Sequence, residues 1–476
     1  MRLTQRAVVD GALTVADVRP LHAGRASTRR RTVAHAALGV MLVAGLAIVV
    51  GASAHRSFLV PPGTRALPAW LGGPFTGVAS GLTTDKVALD AAFCGLIVVM
   101  FAAYLTVVAY ADTVDRRWGL AAAVGLQLIF LCGPALWATD VFNYVSYARL
   151  DVVHGLNPYV HLPAAAPHDP TYSLRSWHHL LSPYGPLFTI ATFALVPLGL
   201  IGGYWALKVA VCAATLACLW LVWKIAQRLD RDPLPAVLLV GLNPLVVVFG
   251  SGGVHNDALV MVLVLAAVYA TIARKPARAG VAAIAAAGLK ASAALVLPFM
   301  LLGGVRRARM AVAAVASALM LGGLSVAVFG LHGPSSTQSV LAQPLSAANI
   351  LGLGLGLGGE TPGLRIALEV VLALTILVLL LRTARGADWI AMAGWATVAL
   401  IVALNWEEPW YVLWVLPFAA LSRSRGLVRA TLLLSAFLFV TTFPIVPYTL
   451  TNVCHCYPDT TAQGARNWHQ VLRYLR

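Results

Sequence analysis

Four short polar segments interrupt an otherwise apolar chain, and each carries residue types that can do chemistry. The first opens at Asp140, directly after an apolar run, and continues through Tyr144, Tyr147, Arg149 and Asp151 to Asn157 and Pro158. Asp140, Tyr144, Tyr147 and Asp151 recur at helical spacing, which predicts an amphipathic helix lying along the membrane. Asn157 ends it, because a residue before proline is driven out of helical geometry. A capping aspartate followed by an interfacial aromatic belt explains the same residues without chemistry. The second segment is Gly250-Ser251-Gly252-Gly253-Val254-His255-Asn256-Asp257, a little after Asn243-Pro244. Its glycines permit tight turns, and a helix starting at or just after Asp257 would aim backbone N–H groups, with His255, at an anion. Taken alone, a helix cap accounts for it better.

The third segment is Gly288-Leu289-Lys290, a lone lysine between two apolar runs. An ionisable group at that depth is costly and marks a functional site by default, unless the side chain snorkels to the headgroups. The fourth is Asn405-Trp406-Glu407-Glu408-Pro409-Trp410-Tyr411. Aromatic faces stack on the C–H face of a sugar while carboxylates accept from its hydroxyls, although a membrane-interface belt explains the aromatics alone.

The elements that must position these residues are membrane helices. Of the 476 residues 59% are hydrophobic and only 11% charged, and the mean hydropathy is +0.81, values foreign to soluble domains. Apolar runs recur from Val33 to about Val446 and imply about thirteen membrane helices in an all-α bundle, with re-entrant or interfacial helices in the first large outer loop. The run 185–200 is expected to be interfacial, because a span there would invert every later basic loop. The net charge of +16 is no nucleic-acid footprint. Arg116, Lys224, Arg228, Arg274, Arg306, Arg382 and Arg423 fall on alternate connections, so those loops and the basic amino-terminal tail read as cytoplasmic and the four polar segments as extracytoplasmic. The organisation expected is a tail over 1–32, one transmembrane catalytic domain over 33–447 with its outer loop at 139–203, and an extracytoplasmic tail over 448–476. Cys94, Cys132, Cys212 and Cys218 read as small core residues, and Cys454 with Cys456 around His455 is weak evidence for a metal.

The residues Asp140 to Tyr159 (D-V-F-N-Y-V-S-Y-A-R, then G-L-N-P-Y), Ser182-Pro183-Tyr184-Gly185-Pro186, Asn243-Pro244-Leu245, Gly252 to Asp257, Lys290 and Pro409-Trp410-Tyr411 together resemble the GT-C superfamily of polytopic glycosyltransferases. Within it the chain is most similar to the polyprenol-phosphomannose-dependent α-1,6-mannosyltransferases of actinobacteria. The resemblance implies transfer of a sugar, mannose first, from a polyprenyl-phosphate donor to a glycolipid or polysaccharide acceptor, with inversion at the anomeric carbon, on the outer face of the plasma membrane during lipoglycan assembly. It implies Asp140 as general base, a role suited to a carboxylate with a reference pKa of about 3.9. Lys290, His255 and Arg149 would hold the donor phosphate. Tyr144, Tyr184, Asn256, Asp257, Trp406, Glu407, Glu408, Trp410 and Tyr411 would line the sugar and acceptor site. No cofactor is implied, a divalent cation being optional, and nucleic acid is not a partner. Arabinosyl or glucosyl transfer stays open. A lipid or sugar transporter is the competing class, since broken helices and a buried lysine also serve passage.

Overall fold

The computed structural model describes residues 21–55, 57, 59–60, 69–82, 85–331, 362–404 and 407–443. The expectations placed on Trp406 and on Cys454, His455 and Cys456 lie outside the described residues. Every regular element among the described residues is helical, as backbone groups in hydrocarbon require. In chain order they are α1 (Leu21–Ala54), α2 (Ala69–Gly72), α3 (Lys86–Ala109), α4 (Arg116–Leu131), α5 (Asp140–Val152), α6 (Pro186–Phe193), α7 (Gly199–Arg228) and α8 (Pro233–Gly241). A π-helical turn (Leu245–Ser251) precedes α9 (Asp257–Ile272), α10 (Pro276–Leu289), α11 (Val296–Gly303), α12 (Arg307–Phe329), α13 (Pro362–Ala384), α14 (Trp389–Ala403), α15 (Val412–Leu421) and α16 (Arg425–Thr441). α1 packs on α3 and α4, α7 on α9, α9 on α10, α10 on α12, and α15 wedges against α8.

Five helices are long and apolar enough to cross a membrane, or six if α8 and the π-turn, bent by 53°, form one broken span. The chain is therefore a membrane protein, but the thirteen spans expected from the sequence are not all there as full-length helices. α9, α10, α14 and the segments around α11 and α15 are apolar yet only 10–17 residues long, and 16 residues of helix reach about 24 Å. Such short pieces are stable where protein rather than lipid surrounds them. α12 and α13 make the complementary case: Leu319 and Met320 are 72% and 77% exposed, as lipid-facing side chains should be.

One expectation at the polar end is corrected. α5 does not lie as an amphipathic helix on a surface. From Asp140 to Ala148 every residue is buried, because the following loop and helices α6 and α7 wrap it. In the 185–200 run, α6 has 8 residues and is followed by a 3-10 turn, Val196–Leu198, and by Gly199 at φ +68°, where α7 begins; by length and composition 186–228 forms one apolar stretch.

Acidic residues at helix starts fall into two kinds. Asp85, Asp232 and Asp388 cap α3, α8 and α14, accepting from Val87 N (2.9 Å), Leu234 N (3.0 Å) and Ile390 N (3.0 Å), as N-caps do. Asp140 and Asp257 are the first residues of α5 and α9 and bond to side chains from other elements instead.

Candidate active site

The end of the bundle that carries Asp140 is assembled by backbone before side chains. Leaving α4, the chain is tied to the glycine turn by Leu136 N donating to Gly252 O, 3.0 Å. Two bulky residues flank this junction in left-handed geometry, Trp137 at φ +72° and Val254 at φ +60°. For a β-branched residue that conformation costs on the order of 1–3 kcal/mol and persists only where surrounding structure dictates it. The π-turn just before, another element that tends to sit at functional sites, places Gly250 O to accept from His255 N at 3.1 Å.

A second junction brings in the Tyr-Gly-Pro motif. Gly185 N donates to Leu289 O at 3.0 Å, and a Cβ on Gly185 would lie 2.2 Å from Gly288 O. Only glycine allows that approach, so the motif docks on the end of α10, one residue from Lys290. Lys290 itself is extended, φ −153°, which is why α10 stops there.

On this frame Asp140, 8% exposed, accepts from the Tyr184 hydroxyl at 3.1 Å. His255 Nδ1 stands 3.9 Å from the same oxygen. His255 is 1% exposed, neither ring nitrogen has a hydrogen-bond partner, and the ring lies flat on Trp410 at 3.4 Å. Lys290 Nζ donates to Asp257 Oδ1 at 2.7 Å, and Trp414 Nε1 donates to that same oxygen at 2.6 Å. The ammonium also sits 4.8 and 4.7 Å from the ring centres of Tyr411 and Trp414, a cation–π geometry. Tyr144 accepts from Asn256 N at 3.1 Å and meets Tyr184 edge-on at 4.9 Å.

Burial sets the protonation states. It pushes the Asp140 carboxyl up to about 6, against the opposing pull of the Tyr184 hydroxyl and Lys290. Glu408 is pushed up to about 8 by burial and by the Asp140 charge. His255 is held well below its ordinary value by burial and by Lys290. At neutral pH the site thus presents an ionised carboxylate beside a protonated carboxyl and a neutral imidazole, the separation of acid and base that catalytic pairs use.

The structure brings together Asp140, Tyr144, Tyr184, His255, Asn256, Asp257, Lys290, Glu408, Trp410 and Tyr411, from five separate stretches of chain. Glu407 is buried beside them in sequence, 5% exposed. Arg149 does not join. Its Nε pairs with Asp169 at 3.0 Å, and nine residues of helix put it about 13 Å along α5 from Asp140. Asp169 also takes His154 Nε2 at 2.8 Å. Trp414 is a site residue that the sequence reading passed over. Its signal was there, since Trp410 and Trp414 are four apart and share one helix face. Lys208 and Arg175, both buried, were also missed. Among the described residues no group of three His, Cys, Asp or Glu side chains is arranged to hold a metal ion.

A helical membrane bundle with an acid, a lysine, an imidazole and aromatic faces gathered at one end defines an integral-membrane enzyme of group transfer. The chain belongs to the alpha-(1->6)-mannopyranosyltransferase family, whose N-terminal domain model matches residues 34–306, and it is a glycosyltransferase. Residues 341–453 match the MptB C-terminal domain. It is 26% identical to alpha-(1->6)-mannopyranosyltransferase A of Mycobacterium tuberculosis over 376 residues, 72% of either chain. It is 27% identical to a second alpha-(1->6)-mannopyranosyltransferase of that organism, over 65% of this chain and 67% of the relative. A relative from Corynebacterium glutamicum, alpha-(1->6)-mannopyranosyltransferase A, is 30% identical over 37% of this chain and 36% of its own. No solved structure matches the chain.

Proposed function

We propose that this enzyme transfers a mannosyl group from a polyprenyl-phosphate-linked donor to a hydroxyl of a glycolipid or polysaccharide acceptor, with inversion, on the outer face of the plasma membrane during lipoglycan assembly. The observation that carries this reading is Asp140, a buried carboxylate with a hydroxyl donor on one oxygen and an unpartnered imidazole beside it. As the acceptor oxygen bonds to the anomeric carbon, Asp140 takes its proton and the bond to the phosphate oxygen breaks, releasing polyprenyl phosphate. Lys290 and His255 face the leaving phosphate, and Trp410, Tyr411, Tyr144, Asn256, Asp257, Glu407 and Glu408 line the sugar and acceptor region. Catalysis belongs to one unit over 33–447, flanked by tails at 1–32 and 448–476.

The placement of charge supports the outer face. Arg116 lies 4.3 Å from the Trp223 ring, Arg228 lies 5.0 Å from the Tyr269 ring, and Arg231 donates to the Leu421 and Ser422 carbonyls at 2.7 Å. These contacts gather the basic ends of α4, α7, α9 and α15 at the opposite end from Asp140, as the positive-inside rule asks. Family membership favours mannose over arabinose and glucose. Purified protein offered polyprenyl-phosphate mannose, arabinose and glucose side by side should transfer mannose alone, and transfer of either other sugar at an equal rate would refute that assignment.

A further inference from the structure

The loop between α5 and α6 holds two arginines that differ in one respect. Arg149 is neutralised by Asp169. Arg175 has no carboxylate against it among the described residues, although it is only 2% exposed. Its terminal nitrogens donate to Ser146 Oγ and to the Trp177 carbonyl, its guanidinium carbon lies 5.1 Å from the Tyr147 ring centre, and its buried Nε has no partner. All of these neighbours are neutral, and a guanidinium does not shed its charge. An uncompensated buried charge is among the costliest features a fold can carry.

Lys208 shows what an explained case looks like. It too is buried without an acid, but its ammonium donates to the Phe130 and Pro134 carbonyls at 3.2 and 3.5 Å. Those carbonyls close the C-terminal end of α4, where the helix dipole welcomes a cation. Ser146 lies mid-way along α5, so its bond to Arg175 is not one to a helix end, and Arg175 itself follows only a three-residue 3-10 turn, Tyr172–Leu174. Its position is also informative. Trp177, whose carbonyl it holds, stacks on Tyr184 with ring centres 6.4 Å apart, and Tyr184 donates to Asp140. Arg175 is therefore linked to the base through two aromatic residues, Trp177 and Tyr184.

We propose that Arg175 is a phosphate subsite, taking the donor's phosphate oxygens through Nε and the N–H groups left free on its terminal nitrogens. The inference rests on the lipid-phosphate donor proposed above. In an in-line displacement the acceptor oxygen and the leaving phosphate lie on opposite sides of the anomeric carbon, so the phosphate extends away from Asp140, and a cation set back from the base can join Lys290 and His255 in holding it. Lys290 is matched by Asp257 and the pair adds no net charge; Arg175 adds a whole one, in a fork suited to two phosphate oxygens.

The test is binding of farnesyl phosphate, farnesol and mannose 1-phosphate to the full chain in nanodiscs, for wild type, Arg175→Met and Arg175→Lys. Wild type should prefer farnesyl phosphate to farnesol. Arg175→Met should lose roughly ten- to hundred-fold in farnesyl phosphate affinity, the worth of hydrogen bonds to a charged group, with farnesol unchanged. A folded Arg175→Met protein that binds farnesyl phosphate like wild type overturns the subsite and leaves the donor reading intact. If wild type ignores farnesyl phosphate but binds mannose 1-phosphate through Arg175, the lipid donor falls and the subsite stands. Binding of neither phosphoester by wild type sinks both. Where Arg175→Met does not fold, Arg175→Lys decides: a point charge without the fork should bind farnesyl phosphate several-fold more weakly, and undiminished affinity overturns the proposal.

Discussion

The Tyr184 hydroxyl donates to Asp140 Oδ1 across 3.1 Å, and that bond joins the two sequence motifs most characteristic of this site. Tyr184 favours the ionised form of a carboxyl that burial pushes the other way. As the base proposed above, Asp140 would work just above the pH at which it ionises.

Activity should follow that ionisation. Because the carboxyl is raised to about 6, kcat/KM for mannosyl transfer should rise with pH through about 6 and be lost below it. A rate that stays flat down to pH 4.5 would remove Asp140 from the rate equation. Asp140→Asn, nearly isosteric but unable to take a proton, should insert normally and lose roughly 10²- to 10⁴-fold in kcat, the usual worth of a general base.

Tyr184→Phe removes a donor to the charged form, so the Asp140 carboxyl must rise further. The acidic limb should move up by roughly one to two pH units, since a hydrogen bond to a charged group is worth about 1.5–3 kcal/mol. A pH–rate profile that drops in height but keeps its midpoint would mean that Tyr184 only packs.

Lys290→Ala leaves Asp257, 3% exposed at its side chain, beside Trp414 without its cation. That should cost about 3 kcal/mol of stability, and Asp257→Asn added to Lys290→Ala should recover much of it. Thermal unfolding in detergent checks the ordering of the two variants. Initial rates against each substrate check the second expectation, that Lys290→Ala raises KM for the donor more than for the acceptor.

Gly185→Ala introduces a Cβ that would stand 2.2 Å from Gly288 O. Backbone must move to admit it, at about 1–3 kcal/mol, and the displaced Tyr184 should take activity down with it. An alanine variant with wild-type melting temperature and rate would show that the seam yields easily.

Much of the site was legible because each polar residue was anomalous against an apolar background: Asp140 at a helix exit, Lys290 between apolar runs, His255 after paired glycines. The background itself predicted a membrane bundle. What sequence could not give was pairing. Arg149 looked free until the fold brought Asp169 to it from 20 residues away, and Arg175 stood out only once the fold buried it. Span length was legible only in part for the same kind of reason. Hydropathy registers apolar runs but not whether lipid or protein surrounds them, so the count of about thirteen includes short pieces such as α9 and α10 beside the five full-length candidates. The tyrosine spacing in α5 was read correctly as helical and wrongly as amphipathic, because a helix sheathed by its own following loop hides its polar face from sequence.

The bond from Gly185 N to Leu289 O has a mechanical meaning. It fastens the segment bearing Tyr184 to the tip of α10, where Lys290 begins, with no compliant side chain between them. If the donor phosphate binds Lys290 as proposed, any shift of the α10 tip passes to the segment bearing Tyr184, whose hydroxyl bonds Asp140. Donor occupancy and proton affinity would then be linked equilibria, and by reciprocity protonation of Asp140 must change the donor's affinity by the same factor.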